Sequence, residues 1–204
     1  MIKHDKEKLI FPTLLFILIF TVLTSCINIS GTSDSKTSPK TKYTETDCPA
    51  QIAARAFEFA KLYNNAETEY ELGGQDPLRT VKLDCSGLVI MCYKYALVDT
   101  KYSLLESDMT SAYMYQNAST HTTSPRKGDL IFMGDENPKN PSTPVSHIAI
   151  FEKFEGDEVY FIDCTKKDTN GDGIYDINGV TERHYSRDNK KIKAYGIMKL
   201  KYSD

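Results

Sequence analysis

In this 204-residue chain, Cys85 and His147 are the two side chains whose settings point to covalent chemistry. Cys85 stands in Asp84-Cys85-Ser86-Gly87-Leu88-Val89, where a helix is expected to begin. A thiol at a helix start faces unpaired backbone N–H groups and the positive end of the helix dipole, and both favour the nucleophilic thiolate. On its own, a cysteine beside an apolar helical stretch reads as a small buried hydrophobe. His147 changes that reading: it lies 62 residues on, in Ser146-His147-Ile148-Ala149-Ile150, at the opening of an apolar strand. Sixteen residues later comes Phe161-Ile162-Asp163-Cys164-Thr165. A nucleophile, a base and an orienting acceptor in that order are what amide hydrolysis through an acyl-enzyme requires.

Strand alternation puts Asp163 and Cys164 on opposite faces, so one of them must point away from the core. Cys164 is the more apolar and is expected inside, which frees Asp163 to meet the imidazole. A carboxylate there accepts from one ring N–H, fixes the tautomer and favours the imidazolium formed when Cys85 gives up its proton. The other reading leaves Asp163 on the surface and has a water or another side chain orient the ring. His4 falls in a leader, His121 in a polar Thr-rich loop and His184 between charged residues, and none opens an apolar strand as His147 does.

Rigid elements must bring these side chains together. Ile52, Ala53, Ala56, Phe59, Ala60 and Tyr63 recur at helical spacing and predict a helix over 49–63, capped by Thr46 or Asp47. A second helix is expected from Cys85, with Leu88, Val89, Cys92 and Ala96 on its inner face, and a short third one over 109–117. After Pro125 the pattern turns to period two or short apolar runs, and 129–133, 147–151, 159–164 and 193–200 read as strands. Helices first and strands afterwards predict an α+β domain, with N-terminal helices packed on a largely antiparallel sheet.

Tyr70-Glu71-Leu72-Gly73-Gly74, Asp84-Cys85-Ser86-Gly87, Gly128-Asp129-Leu130 and His147-Ile148-Ala149-Ile150 follow one another in order. The set resembles the NlpC family of bacterial cell-wall cysteine peptidases, over essentially the whole domain from about Cys48 to Leu200. The resemblance implies a papain-like fold with Cys85 as nucleophile, His147 as general base and later general acid, and Asp163 as third residue, a position where most members carry His. It further implies that Tyr70 lines the cleft and helps hold the oxyanion or the scissile carbonyl, against the plainer reading of a packed Tyr. Asp84 and Ser86 would contact the free amine of a peptidoglycan stem peptide. The implied reaction is hydrolysis of an amide bond in that peptide, D-γ-glutamyl to a diamino acid. Residue chemistry alone gives only acyl transfer by a thiolate, so an amidase or acyltransferase on another substrate, or a wall-binding lipoprotein without catalysis, stays open. From the residues themselves, Gly73 and Gly74 supply a tight turn, Gly87 close helix packing and Asp84 a helix cap.

Asp168, Asn170, Asp172 and Asp176, in Asp168-Thr169-Asn170-Gly171-Asp172-Gly173-Ile174-Tyr175-Asp176, reproduce most of an EF-hand-like calcium loop. Gly179 stands where its bidentate acid should be, so the stretch is either a weak structural calcium site or a polar hairpin. No cofactor is required by the chemistry, and no His/Cys cluster has zinc spacing. With Cys85 reduced and Cys26 assigned to lipid, Cys48, Cys92 and Cys164 are an odd remainder, which argues against a disulfide framework.

Lys3, Lys6 and Lys8 precede an apolar run over 9–23, the form of an export signal and short for a membrane span. Leu23-Thr24-Ser25-Cys26 resembles the lipobox of bacterial lipoproteins, which implies cleavage and acylation at Cys26; an uncleaved anchor helix is the other reading. Either tethers the chain to a membrane. The expected organisation is a signal peptide over 1–25, a flexible Ser/Thr/Lys-rich tether over 26–46 and one peptidase domain over 47–204, in the cell envelope and facing the peptidoglycan. A formal net charge of -3 argues against a nucleic-acid partner, and 40% hydrophobic residues exclude a disordered chain. Nothing in the sequence sets an oligomeric state.

Overall fold

The computed structural model describes residues 43–76, 81–138, 141 and 144–204, all within the compact unit Lys40–Asp204. The leader, Cys26 and the tether up to residue 42 lie outside the described residues. The elements are β1 (Thr44–Asp47), α1 (Ala50–Asn64), β2 (Thr68–Tyr70), β3 (Gln75–Asp76), β4 (Val81–Leu83), α2 (Cys85–Ala96) and β5 (Tyr102–Leu104), then α3 (Ser111–Gln116), β6 (Ser119–Thr122), β7 (Leu130–Met133), β8 (His147–Glu155), β9 (Glu158–Lys167), β10 (Ile177–Ser186) and β11 (Ile192–Tyr202). One antiparallel sheet runs in the order β1-β11-β7-β8-β9-β10, with β5 and β6 also paired to β11; a smaller sheet, β2-β4-β3, holds β2 parallel to β4. This is the expected α+β architecture. Among the described residues no helix is long and apolar enough to cross a membrane.

Several local expectations are corrected. Residues 44–46 are not tether: Thr46 pairs with Leu200 across β1 and β11. Neither Thr46 nor Asp47 caps α1, because both are held in β1, where the Asp47 carboxylate accepts the Thr120 hydroxyl at 2.6 Å. The helix starts instead behind Pro49, whose ring fixes φ at −57° with no side-chain cap. Its fully buried aromatic is Phe57, with Phe59 only partly covered. His121 lies in β6, stacked on Tyr115 at 4.6 Å, and not in a loop.

Packing explains why α2 sits where it does. Besides the expected inner face, Ile90, Met91 and Tyr93 are also buried, as in a helix enclosed on nearly all sides. It lies against α1 and the sheet face that carries Ile148, Ile150, Ile162 and Cys164. Each such Ile or Leu contributes about 1.5–3 kcal/mol on leaving water. Gly128 lets the strand layer meet α1, since a Cβ there would fall 1.8 Å from the Ala53 carbonyl oxygen and φ is +92°. Asp129 beside it is fully buried and accepts from Arg126 at 2.7, 3.1 and 3.2 Å, so Gly128-Asp129-Leu130 is a structural joint ahead of β7. The opposite sheet face carries a second, smaller cluster built from Ile131, Met133, Ala149, Phe151, Val159 and Phe161. That second layer is what allows a polar group on this face to be buried.

Candidate active site

Asp84 joins β4 to α2 and fixes the helix start from which Cys85 projects. One carboxylate oxygen accepts the Gly87 N–H at 2.6 Å and the Ser86 hydroxyl at 2.9 Å, and the other accepts the Gly73 N–H at 2.9 Å. The turn ahead of it closes through Gly74 N–H to the Glu71 carbonyl at 2.8 Å, with Gly73 at φ +78°. A Cβ on Gly87 would lie 2.1 Å from the Gly74 carbonyl oxygen, so the turn and the helix approach backbone to backbone. The glycine turn, the close packing and the cap thus stand as the sequence suggested. A carboxylate offers about four acceptor sites, and three are used here.

His147 opens β8 with its side chain 22% exposed, and its Nε2 lies 2.6 Å from Oδ2 of Asp163. Alternation explains the meeting: Ile150 pairs with Ile162 on the helix-facing side, so His147 with Ala149 and Asp163 with Phe161 use the other face. Nε2 is thereby taken, which leaves Nδ1 as the nitrogen for Cys85, whose side chain acts on the ring electrostatically. Burial works to lower the imidazole pKa, but the bonds to Asp163 and Cys85 and their negative charge prevail and raise it from 6.5 to about 10. At neutral pH the ring is therefore held as the imidazolium. Cys164 is on the helix-facing side, fully buried, with its thiol donating to the Leu83 carbonyl at 3.1 Å. Burial pushes that thiol up out of the nucleophilic range.

Asp163 has no exposed surface, which an isolated carboxylate could not tolerate. Burial by itself would raise its pKa, yet His147 and Arg183 hold it below the usual carboxylate value. Arg183 was not anticipated. It sits on β10, one diagonal step from Thr181, which pairs with Asp163, and grips the carboxylate with two nitrogens: Nε donates to Oδ1 at 3.0 Å and one terminal nitrogen to Oδ2. Its own side chain is 13% exposed, 5.4 Å over both the Phe161 and Tyr185 rings, with a 3.2 Å bond to the Tyr185 hydroxyl. The available signal was a buried acid with one half-exposed partner, which calls for a second cation.

Tyr70 ends β2 opposite Leu83, two residues before Cys85, and lies within electrostatic reach of Cys85 and Asp84. Burial is the first cause of its raised pKa, so the hydroxyl stays protonated and able to donate. The 168–176 stretch links β9 to β10 as a hairpin loop. Asp168 accepts the N–H groups of Gly171 at 2.6 Å and Gly173 at 2.8 Å, and Asp176 accepts that of Thr169 at 2.6 Å. Among the described residues no three His, Cys, Asp or Glu side chains gather as a metal site. His184 is exposed, 3.6 Å from Glu158. Cys48, Cys85, Cys92 and Cys164 are all free and buried.

The chain matches the NlpC/P60 family over residues 67–189, more than half its length. No curated protein matches it in sequence. Among solved structures it is similar to Ly7917, with a TM-score of 0.41 and 15% identity over 74% of this chain and 62% of that one. The structure of Ly7917 with the hydrolyzing product of MDP gives 0.38 and 13%, covering 76% and 63%. The P60 domain of antigen MAP1204 from M. avium subspecies paratuberculosis gives 0.42 and 19%, covering 72% and 96%. The chain thus spans less than two thirds of the length of Ly7917.

Proposed function

We propose a reaction for this chain, which belongs to the NlpC/P60 family: it is a cell-wall hydrolase that cuts an amide bond in peptidoglycan stem peptides, D-γ-glutamyl to a diamino acid, through a Cys85 acyl-enzyme. The observation that carries this reading is the placement of His147, held through Nε2 at 2.6 Å by the buried Asp163 and acted on by Cys85 from the start of α2. The Cys85 thiolate attacks the scissile carbonyl carbon, and the oxygen takes up the negative charge beside the Cys85 N–H and the Tyr70 hydroxyl. The C–N bond breaks as His147 gives its proton to the leaving amine. Now neutral, His147 takes a proton from water, the hydroxide equivalent attacks the thioester, and the acid leaves with the thiolate–imidazolium pair restored. Asp84, with one acceptor site open among the described residues, and Ser86 beside it suit the free amine of a stem peptide. Asp163 and Arg183 act through His147 and are positioning residues.

The Leu23-Thr24-Ser25-Cys26 pattern supports, in addition, an envelope lipoprotein anchored at Cys26 and facing the peptidoglycan. The reaction is tested by incubating the full-length protein, in detergent, with muropeptides and weighing the products by mass spectrometry. Products cut between D-glutamate and the diamino acid are expected, with Cys85→Ala inactive and His147→Ala nearly so. Full activity in Cys85→Ala overturns the mechanism, and cleavage at another bond reassigns the substrate.

A further inference from the structure

Strand register gathers four chain segments beside His147. His147 pairs with Met133 at the end of β7, Met133 pairs in turn with Ile192 at the start of β11, and β9 ends at Lys167. Asp163, Thr165 and Lys167 alternate onto one face of β9, the face that meets His147. Lys191 immediately precedes β11 and is fixed by its carbonyl, which accepts the Gly134 N–H at 3.0 Å. The result is a concavity of about 180 Å³ whose lining includes Asp135, His147, Thr165, Lys167, Arg183 and Lys191.

The charges of this lining do not cancel. Arg183 and His147 both pair with Asp163. Lys167 and Lys191 have no ion-pair partner among the described residues, and Asp135 is the one carboxylate that lines the concavity with them. His147 must also protonate the leaving amine, so the residue that carries this amine lies on the His147 side of the scissile bond. His147 lines the same concavity as Lys167 and Lys191, so the concavity adjoins the position of that residue.

We propose that Lys167 and Lys191 form an anion subsite that recognises a carboxylate carried by the leaving residue. The subsite rests on the peptidase reading above and adds to it a basis for selecting the leaving half. A leaving diamino acid with a free carboxylate, as in diaminopimelate, fits; the same residue with its carboxyls amidated does not.

The test uses the full-length protein and two γ-D-glutamyl peptides whose leaving residue is diaminopimelate with free or with amidated carboxyls. The wild type is expected to favour the free acid by about 5- to 10-fold in kcat/KM, expressed in KM, as two solvent-facing charge contacts allow. In the Lys167→Gln/Lys191→Gln variant, folded by circular dichroism, that ratio falls toward one. Raising salt should shrink the wild-type ratio too, because exposed charges are screened beyond about 8 Å at 0.15 M. A wild type without preference, or a ratio unchanged in the double variant, overturns the subsite and leaves the peptidase reading intact. Cleavage of neither peptide by the wild type overturns the peptidase reading, and the subsite falls with it.

Discussion

Replacing Asp163 by Asn separates what this carboxylate does for chemistry from what it does for the fold. An amide can still accept one bond from the His147 ring, but it cannot stabilise the imidazolium, and its NH2 can select the wrong tautomer; turnover should fall by about 10- to 10⁴-fold. Stability should fall as well, because Arg183 loses its counter-charge while 13% exposed. Breaking a buried pair from one side costs about 3–5 kcal/mol. We expect the low end, since the Tyr185 hydroxyl at 3.2 Å and the flanking Phe161 and Tyr185 rings still hold the guanidinium. Adding Arg183→Met removes the stranded cation and keeps the aromatic packing, so Asp163→Asn/Arg183→Met should regain most of the loss in a urea titration without regaining turnover of muropeptides. The cycle yields a coupling energy of about 2–3 kcal/mol between the two sites. An Asp163→Asn protein as stable as the wild type would mean that the ion pair is not formed in solution. Recovery of turnover in the double variant would remove Asp163 from the reaction.

Two further expectations follow from the same chemistry and from the leader. Because His147 is raised from 6.5 to about 10, its pairing stabilises the fold fully below pH 6.5 and is lost as the pH rises through about 10; Asp163, held below its ordinary value, contributes above about pH 4 and is lost in stronger acid. Urea midpoints across pH 5–10.5 should therefore decline on the alkaline side in the wild type and stay flatter in His147→Gln, and identical profiles would contradict the raised value. Metabolic labelling with a fatty acid should mark the wild type and not Cys26→Ala, with equal labelling counting against the lipidated anchor.

What the sequence displayed, and what it hid, follows from where each residue's partners lie along the chain. α1, α2, β7, β8, β9 and β11 were readable because their apolar residues repeat within one element, so a local window contains the signal. β2 through β6 are two to four residues long, too short for any period, and β10 is mostly polar with Val180 its most buried apolar side chain. Cys85 and His147 were readable because each stands at the first residue of its element, where a helix or strand start has its own chemistry. The caps at Thr46 and Asp47 failed for the opposite reason: their partners, Leu200 and Thr120, are distant in sequence and claim them for a sheet.

Arg183 belongs to that second kind, and it bears on the departure at position 163. A neutral imidazole as third residue would need a hydrogen-bond partner but no counter-ion. A carboxylate with no exposed surface needs more, because His147, 22% exposed and also acted on by Cys85, bonds only to Oδ2. Arg183 supplies a second cation and bonds to both carboxylate oxygens. Its place is dictated by pairing: Thr181 faces Asp163, alternation brings Arg183 to the same sheet face, and the diagonal step sets the guanidinium against both carboxylate oxygens. The same bond limits how strongly Asp163 can draw on the His147 proton, since part of its charge is committed to Arg183. An aspartate here and an arginine on the adjoining strand are thus one arrangement, in which the cation that makes the acid tolerable also acts, through Asp163, on His147.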